Sequence, residues 1–246
     1  MSDVVVITGA AGGVGMSIAQ ELHASGYAVV VADLDEGAAQ RVAAGLAAGG
    51  ARAIGVHVDV ADRASIARVL DRAVEDFGHV EALVNCAAIT QARPLMEITS
   101  AEFDRVMQIN AGGTFSATQA FGAYFSDRGY GRIVNIASLA GQNGGTATGG
   151  HYAASKGAMI AITKVFAREL AGQNVTVNAI APGPHATASV TELVGAERFD
   201  DFVSRIPVGQ VGDPAFIGRM VALLVDRGAG FVTGATWDVN GGLYVR

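Results

Sequence analysis

The chain has 246 residues, half of them apolar, which is enough for one large hydrophobic core. Only 16% of the residues are charged and the net charge is −6, which argues against nucleic acid or an anionic membrane surface as a partner. The single cysteine, Cys86, rules out an internal disulfide and a cysteine-based zinc site, and the five histidines show no metal-ligand spacing, so no metal is expected.

The first stretch, MSDVVVITGA, enters a strand-like run without the basic region or cleavage site of a secretory signal. No apolar run along the chain approaches the ~20 residues that a membrane span needs. These two features predict a cytoplasmic protein that does not enter a membrane.

Short β-branched runs alternate along the chain with longer segments of helical period. The strand candidates, in chain order, are VVVIT, YAVVVAD, AIGVHVDV, EALVNCA, GRIVNIAS, VTVNAIAP and FVTGATWDV. Near-continuous apolar strands separated by helices are typical of a parallel sheet that is covered on both faces. The sequence therefore predicts an α/β, doubly wound, seven-stranded parallel sheet. Residues 1–246 form a single domain, because no linker, repeat or composition shift marks a boundary.

Two helices between these strands have clear sequence signals. In DRASIARVLDRAVEDFG, apolar residues recur at helical spacing with charges between them. Farther along, Thr99 and Glu102 have the spacing of a capping box, which predicts that a long helix begins there.

The segment VVVITGAAGGVGMSIAQELHASG predicts a strand, a glycine-rich turn and a helix in that order. Gly9, Gly12, Gly13 and Gly15 allow the backbone to turn sharply and to approach a pyrophosphate closely. The amides and the dipole of the following helix would stabilise its charge. Glycines also serve ordinary tight turns, so the turn alone is weak support for nucleotide binding.

The next strand strengthens this interpretation, because it ends in Asp33, about 20 residues beyond the glycines. A carboxylate at that position accepts hydrogen bonds from a ribose 2′-hydroxyl, whereas a 2′-phosphate would meet like charge from Asp33, Asp35 and Glu36. The glycine turn also lacks lysine and arginine. We therefore expect NAD rather than NADP as the cofactor.

Further motifs resemble the short-chain dehydrogenase/reductase family along essentially the whole chain. They are TGAAGGVG, Asp33, Asp59 in HVDV, NCAA at 85–88, Asn110 in QIN, Ser138 in NIAS, YAASK at 152–156 and PGPHAT at 182–187. One departure is NCAA, where the family usually has NNAG. With this resemblance, the expected cofactor-binding residues are Gly9, Gly12, Gly13, Val14, Gly15, Asp33, Leu34, Asp59, Val60, Asn85, Ala87, Tyr152, Lys156, Pro182, Gly183 and Thr187.

Tyr152 and Lys156 lie one helical turn apart, and their chemistry suits alcohol oxidation. A phenol with a pKa of about 10 is a poor base at neutral pH. A nearby ammonium and a positive nicotinamide ring would each lower that pKa, so we expect Tyr152 to be an activated general base. Ser138, at a strand end, could hold the substrate oxygen. The resemblance implies that Asn110 positions a water connecting Lys156 to solvent and that Lys156 also binds the nicotinamide ribose.

The segment around residues 184–210 is expected to form a small substrate lid, with Thr187 as a nicotinamide contact by resemblance. Val190, Leu193, Phe199 and Phe202 either line a substrate pocket or simply pack at helical spacing. The loop from Leu139 to Gly150 joins Ser138 to Tyr152, so we expect Gln142, Asn143 and Thr146 to form a polar wall of the substrate pocket. Gln91, Arg93 and His185 could reach the same space, and His151 precedes Tyr152 directly.

The leading hypothesis is an NAD-dependent oxidoreductase that interconverts a secondary alcohol, bearing a neighbouring polar group, and its ketone. A 3-oxoacyl thioester (acyl carrier protein) reductase is the alternative, and a nucleotide-sensing protein without chemistry is a third. The resemblance also implies a homotetramer with paired long helices. The apolar and small residues expected on that helix surface are Ala117, Ala120, Phe121, Ala158, Ile162 and Phe166.

Overall fold

A computed structural model of the chain describes residues 3–48, 52–145, 148–187, 190–191 and 194–246. Within these ranges the strands form one seven-stranded sheet in the order β3-β2-β1-β4-β5-β6-β7, and every neighbouring pair is parallel. This confirms the predicted fold class. The strands are β1 Val4–Thr8, β2 Ala28–Asp33, β3 Ala53–His57, β4 Ala82–Asn85, β5 Gly131–Ile136, β6 Val175–Pro182 and β7 Thr236–Val239.

Helices cover both faces of the sheet. They are α1 Gly13–Ala24, α2 Glu36–Ala47, α3 Arg63–Phe77, α4 Ser100–Met107, α5 Gly113–Arg128, the short α6 Ala140–Asn143, α7 Gly150–Leu170, α8 Phe199–Ser204 and α9 Pro214–Val225. Side chains alternate along each strand, so Val4 and Val6 of β1 join one core while Val5 and Ile7 join the other. Helices α3, α5 and α7 pack on the first core, and helices α1, α2 and α9 pack on the second.

The strand order places a topological switch point between β1 and β4. Strand β1 lies between β2 and β4, so the chain winds outward in both directions from this point. In parallel sheets of this kind, ligands bind in the crevice outside the carboxyl ends of the strands at the switch point. The fold therefore brings the loops that follow Thr8, Asp33, Asn85, Ile136 and Pro182 to one edge of the sheet.

Helix α4 begins with the capping box that the sequence predicted. The Thr99 hydroxyl accepts a hydrogen bond from the Glu102 amide, and the Glu102 carboxylate accepts one from the Thr99 amide. The helix then continues through a π-helical turn, Gln108–Gly112, into α5. This turn, which no local sequence signal marks, changes the direction of the side chains that follow Met107.

Within the described ranges, no helix combines the length and the apolar character needed to cross a lipid bilayer.

Candidate active site

A cleft of about 670 Å³ opens at the carboxyl edge of the sheet, at the switch point. Most of the residues predicted to bind the cofactor line it, together with Ser138 and His185. The predicted residues in the lining are Gly9, Gly12, Gly13, Val14, Gly15, Asp33, Leu34, Asp59, Val60, Ala87, Tyr152, Lys156, Pro182, Gly183 and Thr187. The predicted residues Asn85, Asn110, Gln142 and Asn143 do not line the cleft, and other candidates outside it are described below.

The glycine turn between β1 and α1 has a backbone that larger residues would not permit. Gly9 and Gly13 have φ of +69° and +53°, in the left-handed region that favours glycine. A Cβ on Gly15 would overlap the carbonyl oxygen of Gly9, so the first turn of α1 packs directly on the loop. A Cβ on Gly12 or on Gly13 would meet no atom within 4 Å. The turn is therefore tightly closed on the protein side and open on the cleft side.

Asp33, at the end of β2, is held beside this turn. Its Oδ2 accepts a hydrogen bond from the Ala11 amide at 3.0 Å, and its Oδ1 accepts one from the Asp35 amide at 3.2 Å. Each carboxylate oxygen can accept a further hydrogen bond. The next residue, Leu34, is 67% exposed and lines the same cleft, where it offers an apolar surface.

These features fit a nicotinamide dinucleotide. The open glycine turn at the N-terminus of α1 suits a pyrophosphate, and Asp33 suits a ribose diol. Leu34 and Val60 offer apolar contacts for a base, and the cleft continues from there to Ser138 and Tyr152. The residues that would hold the cofactor therefore line one continuous cleft that also contains the candidate catalytic residues.

Helix α7 carries Tyr152 and Lys156, and both side chains line the cleft. The Lys156 Nζ lies 5.7 Å from the Tyr152 ring centroid and donates a hydrogen bond to the Ile136 carbonyl at 2.7 Å. The lysine is only 2% exposed, and this burial lowers its pKa to about 8. The buried ammonium is therefore satisfied by the end of β5, close to Tyr152.

Burial raises the pKa of Tyr152, and hydrogen bonding from the nearby Ser138 only partly offsets this effect. For the protein alone, the pKa of Tyr152 thus lies above its ordinary value, and the expected lowering by Lys156 remains a prediction. Removal of the phenolate from water disfavours its charge more strongly than the surroundings stabilise it. A second positive charge near the ring, as the sequence analysis expected from oxidised nicotinamide, is needed to lower that pKa.

Asn110 lies in the π-helical turn and is fully buried. Its Oδ1 accepts a hydrogen bond from the Ile89 amide at 2.8 Å, and its Nδ2 donates to the Ile89 carbonyl at 2.9 Å and to the Ser155 hydroxyl at 3.0 Å. The side chain thus ties the loop after β4 to helix α7. It acts as a positioning residue, and its predicted contact to a water remains a prediction.

Asn85 is also turned away from the cleft. Its Nδ2 donates to Thr118 Oγ1 at 3.1 Å and to Asn135 Oδ1 at 2.8 Å, inside the sheet. The NCAA departure leaves the loop well anchored, because the Thr8 hydroxyl accepts hydrogen bonds from the amides of Cys86 and Ala87. Burial raises the pKa of the Cys86 thiol to about 11, so this residue stays protonated at neutral pH.

The predicted polar wall of the substrate pocket does not form from Gln142 and Asn143. The Gln142 amide donates to Asp238 Oδ1 of β7 at 2.5 Å, and Asn143 Oδ1 accepts from the Gly145 amide at 3.0 Å. A Cβ on Gly141 would lie 2.5 Å from the Lys156 carbonyl carbon, which shows that α6 packs directly on α7. This packing turns α6 toward β7 and away from the cleft.

Other candidate substrate residues are also separated by the structure. Gln91 and Arg93 both donate to the Glu102 carboxylate and do not line the cleft. Val190 lines the cleft, whereas the rings of Phe199 and Phe202 pair with each other outside it, with centroids 6.4 Å apart. Thr146 and Leu193 lie outside the described residues.

Two buried histidines differ in their relation to the cleft. His185 Nδ1 lies 2.9 Å from the Gly183 carbonyl, which can only accept, so Nδ1 carries the proton. Burial lowers the pKa of His185, and its Nε2 has no hydrogen-bond partner among the described residues. His185 lines the cleft. His151 does not, and neither of its ring nitrogens has a partner in the described part of the chain.

Several residues of the cleft were missed by the sequence analysis. They are Val58, Cys86, Ala88, Ile89, Thr90, Arg105, Ile109, Ile136 and Ala137. Helical spacing could have indicated Arg105, because it lies one turn before Ile109 and thus on the same side of the helix as a residue beside Asn110. The loop residues had no comparable signal.

The chain is similar in sequence to known oxidoreductases along nearly its whole length. The chain matches a family described as "Enoyl-(Acyl carrier protein) reductase" over residues 9–244. It is 38% identical to "Short-chain reductase protein NovJ" of Streptomyces niveus, with 97% of this chain and 93% of the relative covered. It is 36% identical to "2-(S)-hydroxypropyl-CoM dehydrogenase 3" of Xanthobacter autotrophicus, covering 98% and 96%. It is 34% identical to "3-oxoacyl-[acyl-carrier-protein] reductase FabG" of Haemophilus influenzae, covering 98% of each.

The buried charge of Lys156 generates a stability prediction. Its pKa falls from 10.5 to about 8 in the folded protein, so the fold is penalised below pH 8 and the penalty disappears as the pH approaches 10.5. We expect Lys156→Met to raise the free energy of unfolding at pH 7 by about 1–3 kcal/mol, because the loss of the Ile136 hydrogen bond offsets part of the gain. Urea denaturation at pH 7 and at pH 9.5 measures this difference.

The sign of the pH dependence is the sharper test. The stability advantage of Lys156→Met should be largest below pH 8 and should shrink as the pH rises, since the wild-type lysine then loses its charge. An exposed lysine provides the control, and Lys164→Met should change stability little at either pH. An advantage that stays constant with pH would contradict the assigned penalty.

Proposed function

The chain belongs to the short-chain dehydrogenase/reductase family, and on this basis we propose that it interconverts a secondary alcohol and its ketone with NAD as the cofactor. One observation carries the proposal. Ser138, Tyr152 and Lys156 line the same cleft as an open glycine turn and Asp33. The candidate proton-transfer residues thus share one cavity with residues suited to a dinucleotide. We also propose a cytoplasmic location and a small-molecule substrate.

When bound, the nicotinamide supplies the hydride acceptor for alcohol oxidation, or the donor for ketone reduction, and in its oxidised form a positive charge near Tyr152. In the oxidation direction, the Tyr152 phenolate takes the hydroxyl proton of the substrate. Ser138 donates a hydrogen bond to the same substrate oxygen and keeps it near the phenolate. The Lys156 ammonium, held by the Ile136 carbonyl, stabilises the charged tyrosine. In reduction the proton moves from Tyr152 to the ketone oxygen.

The proposed substrate carries a polar group next to the reacting carbon. Support for this comes from polar side chains of the cleft lining, among them His185, whose Nε2 is packed against Gly212 and has no partner in the described part of the chain. A buried acceptor of this kind is costly unless a donor reaches it. Thr90 and Thr187 add hydroxyl groups to the cleft lining. A hydroxyl or amino group on the substrate would find hydrogen-bonding partners among these side chains.

A second candidate is the reduction of 3-oxoacyl thioesters. The similarity to FabG of Haemophilus influenzae over 98% of each chain favours this candidate. Both reactions use the same proton-transfer residues, so the two proposals differ in substrate and not in mechanism. A nucleotide-sensing protein without chemistry would not need Ser138, Tyr152 and Lys156 in one cleft.

Replacement of the proposed general base tests the activity. We expect Tyr152→Phe to lower turnover by about 10²–10⁴-fold, because the group that transfers the proton is removed. NADH absorbance, followed with a panel of secondary alcohols and 3-oxoacyl thioesters, gives the rate and also distinguishes the two substrate classes. Tyr130→Phe is the matched control, since Tyr130 precedes β5 at the opposite edge of the sheet. Retention of most of the turnover in Tyr152→Phe would contradict the mechanism.

Asp33 generates a prediction on cofactor choice. A 2′-phosphate beside this carboxylate would meet like charge, so kcat/KM with NAD should exceed kcat/KM with NADP by about 100-fold or more. Asp33→Ala should reduce this ratio about tenfold or more, measured by steady-state kinetics with both cofactors. Glu75→Gln removes an exposed charge of α3 outside the cleft lining, and this control should leave the ratio almost unchanged. Equal efficiency of the wild type with both cofactors would refute the assignment.

We further propose a homotetramer in which the face of α4, α5 and α7 is one interface. Ala117 and Phe121 were expected on this surface, but both are buried in the core against the sheet. Exposed apolar residues of these helices include Phe103, 41% exposed, Phe115, 40% exposed, and Val165, 65% exposed, and the predicted Ala120, Ala158, Ile162 and Phe166 are partly buried. The Phe115 and Phe166 rings stack edge to face with centroids 5.2 Å apart, which joins α5 to α7.

Light scattering after size-exclusion chromatography tests this assembly. We expect a mass four times that of one chain, and a smaller species for Phe115→Asp, because burial of a carboxylate in an apolar interface is costly. Asp71→Asn changes an exposed charge on α3 and should leave the mass unchanged. A wild-type monomer at micromolar concentration would rule out the tetramer.

A further inference from the structure

Arg105 is an exposed residue of α4 whose side chain lines the cleft. Ile109, one turn farther along, lines the cleft as well. The side of α4 that contains Arg105 is therefore continuous with the cleft wall. Because Arg105 is exposed whereas Ile109 is partly buried, Arg105 lies nearer the outer rim of this wall.

The carboxylate one turn before Arg105 is not available to it. Glu102 accepts hydrogen bonds from the Thr99 amide and hydroxyl, both at 2.9 Å, and from Arg93 Nε at 3.1 Å. These contacts hold the pKa of Glu102 at about 2, so it stays charged and directed toward Thr99 and Arg93. In the described part of the chain, no carboxylate lies within ion-pair distance of Arg105. Its guanidinium is therefore free to bind an anion.

The charges of the cleft make this arginine distinctive. Among the described lining residues, Arg105 and Lys156 are the only arginine or lysine side chains, and Asp33 and Asp59 are the acidic ones. Lys156 is buried and already donates to the Ile136 carbonyl. Arg105 is thus the basic side chain of the cleft lining that can move toward a ligand. A guanidinium binds oxyanions through a planar pair of donors.

A chain of close contacts connects Arg105 to the glycine turn. A Cβ on Gly9 would lie 2.6 Å from the Ala87 Cα, so the turn packs on the loop after β4. The same loop is bonded through Ile89 to Asn110, in the helical run that contains Arg105. The glycine turn, this loop and Arg105 all line the same cleft, so one ligand in the cleft can contact all three.

We propose that Arg105 binds a phosphate group at the outer rim of the cleft and so determines which ligands the cleft holds. This inference rests on the proposed function, since that function supplies a phosphate-bearing cofactor. The phosphate has two possible sources. One is the pyrophosphate of the dinucleotide, and the other is the phosphate of a pantetheine arm on a thioester substrate.

Direct binding measurements separate these sources. NADH is titrated by fluorescence into the wild type, Arg105→Gln, Arg105→Lys and the control Arg68→Gln, whose arginine lies on α3 outside the cleft lining. 4′-Phosphopantetheine and pantetheine are then titrated by calorimetry into each NADH-saturated protein. Both series are repeated at low and high salt, because an exposed charge contact weakens with ionic strength.

Either of two results supports the inference. If the cofactor is the source, Arg105→Gln weakens NADH binding roughly tenfold, Arg105→Lys weakens it less, and the salt dependence falls in the glutamine variant. If the substrate arm is the source, NADH binding is unchanged, but 4′-phosphopantetheine loses roughly tenfold in affinity while pantetheine does not. Arg68→Gln should match the wild type in every titration.

Equal affinities of the wild type and Arg105→Gln for both NADH and 4′-phosphopantetheine would overturn the inference while leaving the proposed function intact. A wild-type protein that fails to bind NADH at all would overturn the proposed function, and this inference with it. The two failures are distinguishable, because the first needs a normal NADH titration of the wild type and the second lacks one.

Discussion

The contact between the glycine turn and the loop after β4 is the constraint on which the site depends. Gly9 lies so close to Ala87 that no side chain fits between them, and Gly15 packs equally closely on Gly9. These approaches bring the start of α1, the end of β1 and the β4 loop to one point at the topological switch. Without them the cleft would be blocked by side chains, and the amides of α1 would not face an open space.

Buried polar side chains then hold the walls of this cleft in place. Asn85 donates to Asn135, and Asn135 donates to Thr163 at 2.9 Å, which links β4, β5 and α7 beneath the cleft. Asn110 makes a corresponding buried link between the β4 loop and Ser155 of α7. Because a buried amide without partners costs about 1–3 kcal/mol, these pairs favour one arrangement of the three elements. They orient α7, and with it the proposed proton-transfer residues.

Burial shifts the pKa values of Tyr152 and Lys156 in opposite directions, and both shifts disfavour charge. It raises the pKa of Tyr152 and lowers the pKa of Lys156 to about 8. A tyrosine that burial keeps neutral would become a base only when a positive charge lies beside it. Activation of the proposed base would thus depend on the cofactor. The buried Lys156 ammonium would lower the stability of the fold, and the proposed activity requires this charge.

The order of the strands and helices, and the types of residue at the strand ends, were predictable from the amino-acid sequence alone. Apolar runs of strand length, glycine at positions that require a positive φ, and a capping box are local features, and all three were predictable for β1, Gly9 and Thr99. The same holds for Tyr152 and Lys156, because residues one helical turn apart must lie on one side of a helix.

The direction of loop side chains and the effect of burial on ionisable residues depend on how distant segments pack together. Gln142 turns to Asp238 because α6 packs on α7 through Gly141, a contact between elements that no local pattern encodes. The direction of the Tyr152 pKa depends on how much protein surrounds the ring, which is a property of the packed cleft. Arg105 joins the cleft because Asn110 fastens its helical run to the β4 loop, across 21 residues of sequence. Such contacts arise from packing between distant segments, whereas local spacing determines only what lies along a single element.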